Sequence, residues 1–255
     1  MKMMVCRGRT ALLIFAAAAA VFVTGVGLTK HKLMPAMAQE KLHPIYSVER
    51  PEGEKKVSLG INCAWDNSDI PQMLETLAGA DVKATFFVQG EWAEKYPESV
   101  KAISDAGHEI GSHSYSHDDM TKLSPEEIRS QALKSADAIS GRTGKKVTLF
   151  RVPSGSYNNT VIQVLTEEGY IPIQWDIDSR DWKKPSLEKL VANCTKKTEP
   201  GSILLLHSGG EKTAEALPQI LAELKGQGFE IVPVGELIYT EDYVIDRTGR
   251  QKATK

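Results

Sequence analysis

Four short stretches of the chain carry residues able to do chemistry. In SHSYSH, His113 and His117 stand four apart. On a helical turn that spacing points two imidazoles the same way, so they could share a metal ion and leave room for a third ligand and a water. It suits ordinary hydrogen bonding equally well, and nearby His108 reads as a surface or packing residue. In WDIDSRDW, Asp176, Asp178 and Asp181 lie within six residues. Carboxylates that close repel one another unless cations or hydrogen-bond donors converge on them. The two tryptophans of that stretch offer aromatic faces of the kind that hold sugars, and a solvated acidic loop is the plain alternative. In ILLLHSG, four apolar residues deliver His207 to a strand tip, as a satisfied edge residue or as a general acid poised by a carboxylate. In FRVPSG, Arg151 precedes a turn at residues 153–155, where its guanidinium could grip a carboxylate bidentately or merely cap a helix.

These residues need a scaffold that brings distant segments to one edge. From Lys55 onward, short apolar runs alternate with longer amphipathic segments about every 25 to 30 residues, the rhythm of strand and helix units. Strands are predicted for VSLGINC, VKATFFVQ, HEIGSH, VTLFR, YIPIQWDI, SILLLH and FEIVPV. Ser68-Asp69 before Pro71, and Ser124 before Pro125-Glu126-Glu127, predict helix starts, and Gly107, Gly169 and Gly228 predict helix ends. The pattern reads as an α/β fold, a distorted, incomplete (β/α) barrel of about seven parallel strands. Barrels of this kind gather their chemistry at the carboxyl ends of the strands.

Composition narrows the function. The first 38 residues hold five basic side chains and no acid, which leaves 26 bases against 33 acids in the rest. A body that acidic lacks the basic footprint that draws nucleic acid. Residues 1–38 read as a secretory signal or an uncleaved membrane anchor: a basic flank, an apolar run from Ala11 to Leu28, then Ala36-Met37-Ala38. That places the domain outside the cytoplasm, secreted or anchored. Residues 39–54 read as a polar linker, 55–240 as the folded domain, and 241–255 as a tail that packs briefly and frays. Cys6 falls on the cytoplasmic side, so Cys63 and Cys194 are the two cysteines available for an exported disulfide.

Taken in order, VKATFFVQG, GHEIGSHSYSH, FRVPSG, WDIDSRDW and PGSILLLHSG resemble the signature stretches of the polysaccharide deacetylase family, the carbohydrate esterase family four domain of chitooligosaccharide and peptidoglycan N-acetylglucosamine deacetylases. The resemblance spans roughly residues 55 to 238. It implies a divalent metal held by an aspartate and two histidines, here His113 and His117. It further implies that Arg151 steadies a catalytic base, His207 is the general acid, Asp181 tunes His207 and Trp182 walls the groove. The implied substrate is an amino-sugar polysaccharide, peptidoglycan or chitin-like, and the implied reaction is metal-dependent removal of its N-acetyl groups.

The first family motif, Thr-Phe-Asp-Asp-Gly, is altered. Alignment without a gap puts Asn62 at the base and Cys63 at the metal-binding aspartate. A Cys-His-His set would favour zinc. A shifted registration sets Trp65-Asp66-Asn67 against Phe-Asp-Asp and makes Asp66 the base. The alternation Val57, Leu59, Ile61, Cys63 favours the first. Ser154 stands where the family usually has an aromatic residue, and it joins Trp65 and Trp182 as a predicted substrate contact. Two functions are carried forward: weak hydrolysis by a protein short of its base, and glycan binding without turnover, or a structural part in an envelope or spore-forming assembly, on the same fold.

Overall fold

Apolar side chains at every second position, Val57, Leu59, Ile61 and Cys63, give the chain its central strand, since period two puts them on one face. The computed structural model describes residues 40–254. Its strands are β1 (Ser47–Val48), β2 (Lys56–Cys63), β3 (Thr85–Val88), β4 (Glu109–Ser112), β5 (Leu149–Phe150), β6 (Ile171–Pro172), β7 (Ile177–Asp178), β8 (Ile203–His207), β9 (Glu230–Ile231), β10 (Tyr243–Ile245) and β11 (Arg250–Ala253). Its helices are α1 (Ile70–Gly79), α2 (Gly90–Lys95), α3 (Pro97–Asp105), α4 (Pro125–Thr143), α5 (Asn159–Glu167), α6 (Leu187–Thr195), α7 (Thr213–Gly226) and α8 (Val234–Leu237).

Seven strands run parallel in the order β6-β5-β4-β3-β2-β8-β7, and β9 pairs with the start of β2. The end strands β6 and β7 do not pair with each other, so the sheet curls into an incomplete barrel, as the sequence predicts. All four alternating apolar residues of β2 are wholly buried, in the same core as Met73 and Leu77 of α1 and Leu217 and Ile220 of α7. Ser58, Gly60 and Asn62 occupy the opposite face.

The predicted punctuation is present. Ser124 and Glu127 form a reciprocal capping box at the start of α4, and Gly107, Gly169 and Gly228 all adopt positive φ. Asp69 precedes α1 but makes no capping bond. It accepts instead from the Gly209 backbone N–H at 2.8 Å.

Three expectations need correction. YIPIQWDI, read as one strand, gives two, β6 and β7, at opposite ends of the sheet. The segment read as a linker is part of the core: Ile45 and Val48 are fully buried, and Ile45 bridges to Ile173. The segment read as a fraying tail forms a hairpin, with β11 pairing parallel to β1 on one side and antiparallel to β10 on the other. Gln251 locks this second sheet, accepting from Tyr239 N at 2.8 Å and donating to Tyr239 O at 2.6 Å. Gly201 permits the docking, because at its φ of +86° a Cβ would collide with the Val48 carbonyl. The apolar run at 11–28 lies outside the described residues. Among the described residues, no helix is long and apolar enough to cross a membrane.

Candidate active site

The carboxyl ends of the parallel strands converge on one cleft of about 340 Å³, lined among others by Asn62, His113, His117, Asp178, Trp182 and His207. Its floor is a chain of hydrogen bonds. Arg151, just past β5, is wholly buried and donates through Nη1 to Gly60 O and Asn62 Oδ1, both at 3.1 Å, and through Nη2 to Gln174 O at 3.1 Å. Burial alone lowers its pKa, to about 9. Among the described residues, no carboxylate bonds it.

Because Arg151 claims Asn62 Oδ1, the Asn62 amide nitrogen faces the other way, 3.2 Å from His113 Nε2. His113 Nδ1 lies 2.7 Å from the Arg151 carbonyl, which can only accept, so Nδ1 carries the proton. Burial, then the neighbouring His117, hold this imidazole neutral, far below its ordinary pKa. Nε2 is therefore an acceptor, and Asn62 Nδ2 donates to it. The lone pair that a metal would use is taken.

His113 and His117 come together, with ring centroids 5.0 Å apart and nearly perpendicular. They do so on an irregular loop and not the helical turn that their spacing suggests. Ser114 and His117 both take positive φ, +66° and +63°, a conformation uncommon outside glycine. Gln131 of α4 holds the loop, since its Oε1 accepts from Ser114 Oγ and from the backbone N–H groups of Tyr115 and Ser116 at 2.9–3.0 Å. No sequence signal marks Gln131, which lies 14 residues beyond His117 on another element.

His207 and Asp181 pair as expected. His207 Nδ1 lies 2.7 Å from Asp181 Oδ1, and its backbone N–H donates to Oδ2 at 2.7 Å. Thr213 Oγ1 donates to the same oxygen at 3.0 Å. Burial pushes the Asp181 carboxyl up, but these donors outweigh it and hold it below the usual carboxylate range. Since its folded value is depressed, the stability that Asp181 contributes is present above its unfolded value and is lost as pH falls through the folded one. Asp181→Asn should therefore cost about 2 kcal/mol at pH 7. In denaturant titrations the deficit should shrink at pH 3. A deficit equal at both pH values would mean that the carboxylate's charge plays no part.

Trp65 stacks on His207, with centroids 4.8 Å apart and planes 14° apart. Trp65 and Trp182 are each about half exposed, at 45% and 49%, so both keep an apolar face open to solvent. Ser154 lines the cleft in a strained turn with φ +54°. Trp175 lines it too and packs over the position of Gly155.

The remaining expected residues lie elsewhere. Cys63 shares the face of Val57, Leu59 and Ile61, so its thiol sits in the apolar core, and burial raises its pKa to about 12. Among the described residues it joins no group of three side chains able to hold a metal ion. Asp66 is an exposed turn residue whose oxygens accept from Asn67 N, Ser68 N and Ser68 Oγ. Asp176 is bound to Ser202 Oγ and Ile203 N at the start of β8, away from the site. Both Cys63 and Cys194 are free and buried, so no disulfide joins them. The family's metal therefore does not fit: among the described residues no third donor joins the histidine pair, and Asn62 occupies His113 Nε2.

Comparisons place this geometry among known proteins. The Polysaccharide deacetylase family model matches residues 49–173. The chain is 34% identical over 211 residues to the uncharacterized protein YlxY of Bacillus subtilis, covering 83% of this chain and 66% of that protein. It is 33% identical over 199 residues to a peptidoglycan-N-acetylglucosamine deacetylase of Bacillus cereus, covering 76% and 72%. Among solved structures, BA3943, a CE4 family pseudoenzyme from Bacillus anthracis, superimposes with a TM-score of 0.72 at 38% identity, over 77% of this chain and 69% of the other. A BA3943 mutant with restored enzymatic activity superimposes equally well. The Bc1960 peptidoglycan N-acetylglucosamine deacetylase gives 0.73 at 33% identity, over 78% and 94%. With about a third of its residues identical to these proteins over most of both chains, the chain belongs to the polysaccharide deacetylase family.

Proposed function

We propose that this member binds amino-sugar polysaccharide in its cleft and has lost efficient deacetylation. One observation carries the reading: the Asn62 amide bridges Arg151 and His113 where hydrolysis would need a base and a free imidazole lone pair. An amide takes no proton from water, and the loss of a general base typically costs 10²- to 10⁴-fold in rate. The binding half of the site survives. Trp65 and Trp182 offer open aromatic faces, and Asp178 and Ser154 offer polar edges beside them. The likeness to a pseudoenzyme supports the reading. The basic flank and apolar run at the amino terminus support a position outside the cytoplasm, where such polymers lie.

The intact His207–Asp181 pair favours a second reading, slow hydrolysis, because a leaving amine still has its proton donor. One experiment separates the two. The protein is incubated with peptidoglycan and with N-acetylglucosamine oligomers, and bound polymer and released acetate are measured. Binding that falls about tenfold in Trp65→Ala and in Trp182→Ala, with acetate no higher than in a His113→Ala control, supports the binding protein. Acetate above that control supports the slow enzyme, and absence of binding to either polymer defeats both.

A further inference from the structure

The barrel's open side holds a second groove, of about 670 Å³, between edge strand β7 and helix α6. Asp178 lines both this groove and the cleft, so the two meet at that residue. Arg180, Lys189, Lys196 and Lys197 line it as well, all four are exposed, and none enters an ion pair among the described residues.

The groove also holds three acids, each of which accepts hydrogen bonds from the protein itself. Asp176 accepts from Ser202 Oγ and Ile203 N, and Asp178 Oδ1 accepts from Arg180 N at 2.8 Å. Glu188 sits in the first turn of α6, where its own backbone N–H and Ser186 hold its carboxyl below the usual range. Its four cations outnumber its three acids by one, so the groove keeps a small positive excess, carried on the exposed side chains. It also runs along a strand whose outer edge pairs with no other strand among the described residues, and such an edge offers backbone hydrogen bonds to an extended peptide.

We infer that this groove takes the carboxylate-bearing peptide arms of a peptidoglycan strand whose sugars lie in the cleft, a proposal that rests on the cleft holding amino sugar. Free cations meet the carboxylates, the open edge meets the peptide backbone, and the junction at Asp178 is where an arm would leave the sugar it is attached to. A neutral chitin-like polymer would use the cleft and leave the groove untouched.

The test measures binding of the full chain to three ligands: soluble peptidoglycan strands with peptide arms, the same strands stripped of peptides by an amidase, and neutral N-acetylglucosamine oligomers. The peptide-bearing strands should bind about tenfold more tightly than the stripped ones, an advantage that shrinks with added salt. The triple variant Lys189→Glu/Lys196→Glu/Lys197→Glu, confined to exposed side chains, should abolish that advantage and leave neutral oligomer binding unchanged. Arg180→Ala alone should reduce the advantage in part. Equal binding of bare and peptide-bearing strands, or a triple variant that keeps the preference, overturns the groove and leaves the cleft reading standing. Binding of none of the three ligands overturns both.

Discussion

Asn62→Asp is expected to raise the unfolding free energy at pH 7 by about 2–3 kcal/mol, an unusual direction for a change at a buried site. The reason lies in Arg151. Its guanidinium is wholly buried, yet among the described residues its partners are two backbone carbonyls and one side-chain amide, all neutral, and its Nε has none. Phe87 at 4.0 Å and Trp175 at 5.6 Å from the guanidinium carbon offset part of the cost through their ring faces. A buried charge stripped of its counterion typically costs 3–5 kcal/mol. A carboxylate at position 62 sits where Oδ1 already meets Nη1, so it supplies the counterion without rearrangement. Part of the gain goes to desolvating the new carboxylate and to removing the donor on His113 Nε2. Denaturant titration reads the effect as a higher midpoint at unchanged slope. An equal or lower midpoint would mean that the rings and carbonyls already satisfy the cation.

Gly60→Ala should do the opposite, costing about 3–5 kcal/mol. A Cβ on Gly60 would lie 2.6 Å from Arg151 Nη1 and 2.8 Å from Cζ, and closer still to Nη2. Those are the flat, inflexible atoms of a guanidinium pinned by three hydrogen bonds, so the methyl cannot be accommodated by swinging a side-chain tip aside. The carbonyl of the same residue accepts from Arg151. Displacing the guanidinium therefore also orphans Gly60 O, Asn62 Oδ1 and Gln174 O. Pairing the change with Arg151→Met removes the clash, so the double variant should be less destabilised than the two single costs added together. Simple additivity would show that Gly60 matters for some other reason.

The contrast between what could and could not be read from sequence follows from range. Strands β2, β3, β4 and β8, the capping box at Ser124 and the His207–Asp181 pair were legible because local patterning and ordered motifs specify them. β1 and β11 were not, since they pair across about two hundred residues and their polar sequences carry no period. Cys63 is the instructive error. The alternation that selected the ungapped registration also puts Cys63 on the face of Val57, Leu59 and Ile61, turned to the core, while the site takes Asn62 from the other face. Read with its sidedness, the same pattern argues against a thiolate ligand. The Gln131 clamp and the strained φ of Ser114 and His117 leave no trace in a single sequence, because a loop shape set by a distant helix has no local signature.

The claim that Asn62 holds the His113 lone pair is tested most directly by titrating the protein with zinc while following the imidazole nitrogens by ¹H–¹⁵N NMR. The structure predicts a neutral His113 protonated at Nδ1, with Nε2 in a hydrogen bond that micromolar zinc leaves unmoved. Stoichiometric shifts of both His113 and His117 in the natural protein at micromolar zinc would contradict the account.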